Sequence, residues 1–175
     1  MSLPEVWLRG PLNNIPPLTQ PVAHALLQAG EEIGNALSGF PDHLLWIKPA
    51  GVASVGFHLQ HMSGVCDRLL TYAKEQSLTK DQLIYLQHEE TAIEENTNTL
   101  LLVEKFHSSV QKVIDFLTTL SNADLTAFRP VGRNKLPSTL MGLLIHIAEH
   151  TMRHLGQLLV TAKILTATSE HSRHI

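Results

Sequence analysis

A chain of 175 residues, 43% hydrophobic and 17% charged, fits one domain and can bury a core without disulfide staples. Its net charge of −3 and lack of a basic patch argue against a nucleic-acid partner, and no apolar run approaches the ~18 residues of a membrane span. The single cysteine, Cys66, excludes an internal disulfide framework. The opening Met1-Ser2-Leu3-Pro4-Glu5 has neither the basic nor the apolar region of a signal peptide, so a cytoplasmic location is expected.

Residues 1–17 carry Pro4, Pro11, Pro16 and Pro17 and predict an irregular arm. Over residues 18–37, Val22, Leu26, Ala29, Ile33 and Leu37 recur at helical spacing, with Pro21 early enough to sit in the first turn. A loop follows over 40–53. Ser54 is a good N-cap for a second helix running to about Gln76, with Leu59, Met62, Cys66 and Leu70 on its inner stripe. Thr79 and Gln82 form a capping box for a further segment through about Glu95, whose run of glutamates reads as an outward, polar continuation. Asn98 or Thr99 can cap a third long helix to Leu120. After a connection over 121–137, Ser138 is expected to cap a fourth long helix that reaches about Leu165. The pattern gives an all-α chain, a four-helix bundle over residues 18–166 with a polar tail at 167–175. The connection between its second and third bundle helices is long and partly helical, so simple up-down order need not hold.

There are 11 histidines against 13 lysines and arginines, and several are organised. The fourth bundle helix reads His146-Ile-Ala-Glu-His150-Thr-Met-Arg-His154-Leu-Gly-Gln157. Residues four apart drift by roughly 40° on a helix, so these histidines share one face. His154 points into the apolar arc, His150 sits at its edge and His146 is the most peripheral. An i, i+4 pair suits a metal ion because both rings can converge on it. The second helix offers His58, inside the apolar arc, and His61, at its edge. Periodicity slightly favours His58 as the buried ring, yet an open metal site belongs at the margin of a core, so the pattern does not choose between them.

Two motifs carry a family resemblance. Ser54-Val-Gly-Phe-His-Leu-Gln-His61 resembles the first metal motif of the DinB (damage-inducible) and YfiT-like superfamily, and His150-Thr-Met-Arg-His154-Leu-Gly-Gln157 resembles its second. The likeness spans roughly residues 18–165. It implies a four-helix bundle of unusual connectivity, a homodimer, and a divalent metal held by His61, His150 and His154. His58 and His146 are extra to that pattern, as supporting groups or, for His58, as a replacement for His61. Zinc or nickel is the expected ion, although imidazole accepts several others. Some relatives are thiol-dependent S-transferases and others are viewed as metal-dependent hydrolases. A low-molecular-weight thiol is therefore the first expected small-molecule substrate, metal-bound water the second nucleophile, and a non-catalytic metal-binding bundle the third reading.

Three neutral imidazoles leave a coordination position open and keep the full positive charge of the ion, which favours an anion. Arg68, seven residues after His61, is a candidate for positioning an anionic substrate, and Gln157 for orienting a ligand. Glu149 is expected at the surface. Cys66 reads as a small core residue, and Trp7 and Trp46 as packing lids. The remaining histidines, among them His24, His43, His88 and His107, have no partner at useful spacing. His88-Glu89-Glu90-Thr91-Ala92 lacks the second histidine of a zincin motif. Glu104-Lys-Phe-His107 stands alone, where a di-iron bundle needs two such units.

Overall fold

Side-chain caps start the long helices. The computed structural model describes residues 3–172, with side chains through residue 169, and its helices are α1 (Gln20–Ala36), α2 (Val55–Ala73), α3 (Lys80–Gln87), α4 (Thr99–Leu117) and α5 (Leu140–Ser172). Ser54 Oγ accepts from the Phe57 N–H at 3.1 Å and Asn98 Oδ1 from that of Leu101 at 3.0 Å. Thr79 and Gln82 close the expected capping box at 3.2 and 2.9 Å. Each such cap contributes about 1 kcal/mol. At α5 the cap is Thr139 rather than Ser138, its Oγ1 accepting from Gly142 N–H at 3.0 Å. No strand forms among the described residues; two isolated bridges, Phe128 with Thr139 and Val131 with Leu136, pin the connection before α5.

The chain is all helical. Helix α5 packs on α1 and α2, and α4 packs on the same two, so the four long helices surround one core in the cyclic order α1–α5–α2–α4. Chain neighbours α1 and α2 therefore sit diagonally, a departure from up-down order. Leu26, Ile33, Leu59, Met62, Phe106, Leu144 and Leu158 meet in the middle, all fully buried. The short α3 packs on α2, so α2 is covered by α5 and α4 on one side and by α3 and its following segment on the other. That explains why His58, Gln60, Ser63 and Arg68 of α2 are buried despite their polarity. From residue 3 the N-terminal arm is irregular apart from a 3-10 turn, Val6–Arg9, and a second, Pro17–Thr19, that leads into α1. Two bonds of 2.6 and 2.7 Å from Arg9 to Glu31 tie it to α1.

Four helix ends differ from the sequence expectation, the first being α2, which stops at Ala73, a few residues before Gln76. Helix α3 ends at Gln87, not near Glu95, because the chain is drawn onto α2 at Glu89, the one buried member of the glutamate run: the Gln60 side chain donates to the carbonyls of Glu89 at 3.0 Å and Thr91 at 2.8 Å. Helix α4 ends at Leu117, a few residues before Leu120. Helix α5 continues past Leu165, its last core residue, to Ser172. Residues 166–172 contain no Gly or Pro to stop it, and Thr166 Oγ1 donates back to the Ala162 carbonyl at 3.1 Å. The expected polar tail is thus helical through residue 172; residues 173–175, with His174, lie outside the described residues.

Candidate metal centre

Helices α2 and α5 are neighbours in the bundle, packed directly on each other, and bring their histidines together. Ligand atoms of His61, His150 and His154 all lie within 4.8 Å of one another, with each residue half-buried. His61 Nε2 stands 2.9 Å from His150 Nε2. Ligands on an ion with bonds of roughly 2.0–2.1 Å stand roughly 3.3 Å apart at tetrahedral angles, so the His61–His150 pair has to open by only a few tenths of an ångström to admit an ion. The donor set fits a divalent metal.

The second nitrogen decides whether each ring can ligate. His61 Nδ1–H donates to Glu89 Oε2 at 2.7 Å, which leaves the Nε2 lone pair pointing at His150. His154 and His58 face each other through their Nδ1 atoms at 3.0 Å. With His154 as donor, its Nε2 lone pair is free; the reverse tautomer pair would block it. His58 is only 2% exposed, and burial, then the charge of His61, pushes its pKa down to about 4. It stays neutral and able to accept. Burial, followed by His61 and His150, likewise pushes His154 down to about 3. Burial also lowers His150, so the cluster favours the neutral imidazoles a metal requires. His150 Nδ1 is buried and makes no hydrogen bond. The Phe57 ring stacks on His61 at 5.1 Å between centroids, nearly parallel at 13°, and limits that ring's rotation.

Glu89 was not visible as a site residue in the sequence. It is 4% exposed and bonds at both oxygens, Oε2 with His61 and Oε1 with Arg68 Nη1 at 2.6 Å. Tyr85 stands nearby, its hydroxyl donating to the Gln60 carbonyl at 3.1 Å. Room for the group comes from Gly64: a Cβ there would collide with Glu89 Oε1, Arg68 Nη1 and the Tyr85 ring. The sequence signal was indirect. A glycine inside α2, flanked by Gln60 and Arg68, marks a place where something approaches the helix closely.

A profile of the DinB superfamily matches residues 25–158, which includes α2 to α4, most of α1 and the histidine-bearing part of α5. The chain belongs to the DinB superfamily. A solved structure described as a conserved protein of locus from Enterococcus faecalis is similar in fold. It has a TM-score of 0.68 and 17% identity, covering 86% of this chain and 98% of that one. No curated protein matches the sequence.

The other residues singled out in the sequence lie outside the group of His61, His150 and His154. Arg68, expected to meet an anionic substrate, is 8% exposed and engaged by Glu89. Gln157 is exposed on α5. His146 is exposed, its Nδ1 2.6 Å from Glu149, which also accepts from Arg153 at 2.6 Å; His146, Glu149 and His150 form a second, more open group of ligand atoms. Trp46 is a packing lid, since a Cβ on Gly56 would run into its ring. Trp7 is not one: it is 60% exposed. Cys66 is buried, and that burial pushes its thiol up to about 12.

Proposed function

We propose that this protein is a divalent-metal-dependent enzyme in which His61, His150 and His154 hold a zinc or nickel ion, and that its reaction is transfer to or from a small thiol. When bound, the ion supplies a Lewis acid with an open position that lowers the pKa of a thiol or water placed there. The observation that carries the thiol over the water is the state of the carboxylates. Glu89 has both oxygens committed, to His61 and Arg68, and Glu149 is paired at the surface with His146 and Arg153. No carboxylate of the cluster is left to carry a proton from an attacking water to the leaving group, which hydrolysis still needs once a metal-bound water has ionised. A thiol, with its ordinary pKa of roughly 8.5, ionises near neutrality with little help. Its proton passes to solvent, and its sulfur forms the new bond to an electrophilic carbon that releases its leaving group. His58 and Glu89 serve this chemistry by fixing the tautomers of His154 and His61.

Elemental analysis of untagged protein tests the metal, and a panel of cellular thiols with electrophilic acceptors tests the reaction. About one equivalent of metal, lost in the His150→Ala/His154→Ala double variant, is expected, with product only when thiol is present. Metal below about a tenth of an equivalent under replete conditions removes the enzyme reading. Turnover without thiol transfers the assignment to a hydrolase.

A further inference from the structure

Beside the histidines lies a cleft of about 240 Å³, walled by α2, the α3 region and α5. His61 and His150 line it, whereas His154 does not; His154 turns toward His58 and Phe57 instead. The cleft is therefore the approach to the cluster from outside. Along α2, its floor continues from His61 through Val65, Leu69 and Tyr72. Those steps of four, eight and eleven residues stay on one helix face for roughly 16 Å. Leu78 and Leu86 form the opposite wall. The charged groups there are few. Arg68 has its charge balanced by Glu89, and His146 stands at the exposed side with Glu149.

Resting on the metal reading above, we infer that the substrate of this site is a small amphiphile: a metal-seeking anionic head, seated at His61 and His150, joined to an apolar alkyl or aryl body that lies along Val65, Leu69 and Leu86. The size limits the body. The cleft holds the volume of about eight water molecules, enough for a head and about six carbons. A polyhydroxylated body would lose its water against Val65, Leu69, Leu78 and Leu86, where, apart from the histidines and Arg68, the Tyr72 hydroxyl is the one side-chain group of the lining able to replace a hydrogen bond.

The chain-length dependence of binding tests the inference. Straight-chain alkanethiols from ethanethiol to octanethiol are titrated calorimetrically into zinc-loaded protein and into chelator-stripped protein. Burying one methylene is worth about fourfold in affinity, and the cleft is open on one side. Affinity is therefore expected to rise about two- to fourfold per methylene to about six carbons and then level off. Zinc raises every member of the series without changing the slope. Leu86→Gln flattens the slope at full zinc stoichiometry, and Leu86, 43% exposed, can change without disturbing the fold; Leu69→Gln is the second variant. A flat series, or a slope unchanged in both variants, overturns the inference. Failure to take up zinc overturns the metal reading instead, and the slope in stripped protein still decides whether the cleft reads an apolar body.

Discussion

Replacing Glu89 with glutamine separates the two tasks of that side chain. The amide keeps the shape and can still accept from His61 Nδ1–H, now 2.7 Å away, but the negative charge is gone. Carboxylates that hold a ligating imidazole raise its basicity and fix its ring, and losing one typically lowers metal affinity 10–100-fold. Metal affinity in Glu89→Gln should fall within that range, about 1.4–2.7 kcal/mol. Stability should fall too, because the Arg68 side chain, 10% exposed, loses its ion-pair partner, itself 4% exposed. Removing one member of a buried pair costs about 3–5 kcal/mol. With the amide oxygen on His61, its NH2 faces Arg68 Nη1 donor against donor, and only the residual exposure of Arg68 holds the expected loss to the lower end of that range.

A double variant, Glu89→Gln/Arg68→Met, removes the stranded charge. It should recover much of the stability of the metal-free protein while leaving metal affinity at the single variant's value. Competition with a chromophoric chelator measures the affinity, and urea denaturation of metal-free protein measures the stability. Affinity within twofold of wild type in Glu89→Gln would refute the reasoning, since His61 would then be oriented by something other than this carboxylate. Recovery of affinity together with stability in the double variant would also refute it, by making the metal defect a consequence of loosened folding.

Two further substitutions probe the same centre. Gly64→Ala places a methyl group against Glu89 Oε1, Arg68 Nη1 and the Tyr85 ring; overpacking of this kind costs about 1–3 kcal/mol, read as a lower urea midpoint, and the displaced carboxylate should lower metal affinity as well. His146→Ala should keep a full equivalent of metal, because this ring is exposed and paired with Glu149, whereas His61→Ala should lose it; elemental analysis of the two variants side by side checks the ligand assignment.

Much of the centre could be read before folding. The i, i+4 spacing placed His150 and His154 on one face of α5, and the fold needed only four apolar stripes and their caps. The choice between His58 and His61 could not be read from periodicity. The more buried ring, His58 at 2% exposure, is the one that the apolar arc favours, and it bonds to His154 instead of joining the cluster of ligand atoms. Burial and ligation are different demands, because a ligand must face the open margin that an arriving substrate can reach. The family motif points to His61, the ring that stands with His150 and His154.

Glu89 was hidden for a deeper reason. It belongs to a run of glutamates, and such a run is solvated unless something specific receives one member. The receiving surface is on α2, where Gln60, Gly64 and Arg68 fall within roughly 80° of one another and His61 just beyond. A solvated helix face is rich in lysine and glutamate; this stripe has neither, and it has a glycine where a side chain would block the approach. Gln60 holds the backbone of the incoming segment, Gly64 clears the space, Arg68 balances the charge and His61 takes the second carboxylate oxygen. The polar side of α2 is therefore a second, hydrogen-bonded interior rather than a surface, and the same contacts that hold residues 88–91 on the bundle set the tautomer of a ring in the candidate metal site. Stability of that segment and metal affinity are coupled by construction, which is why the double variant at Glu89 and Arg68 can separate them and a single substitution cannot.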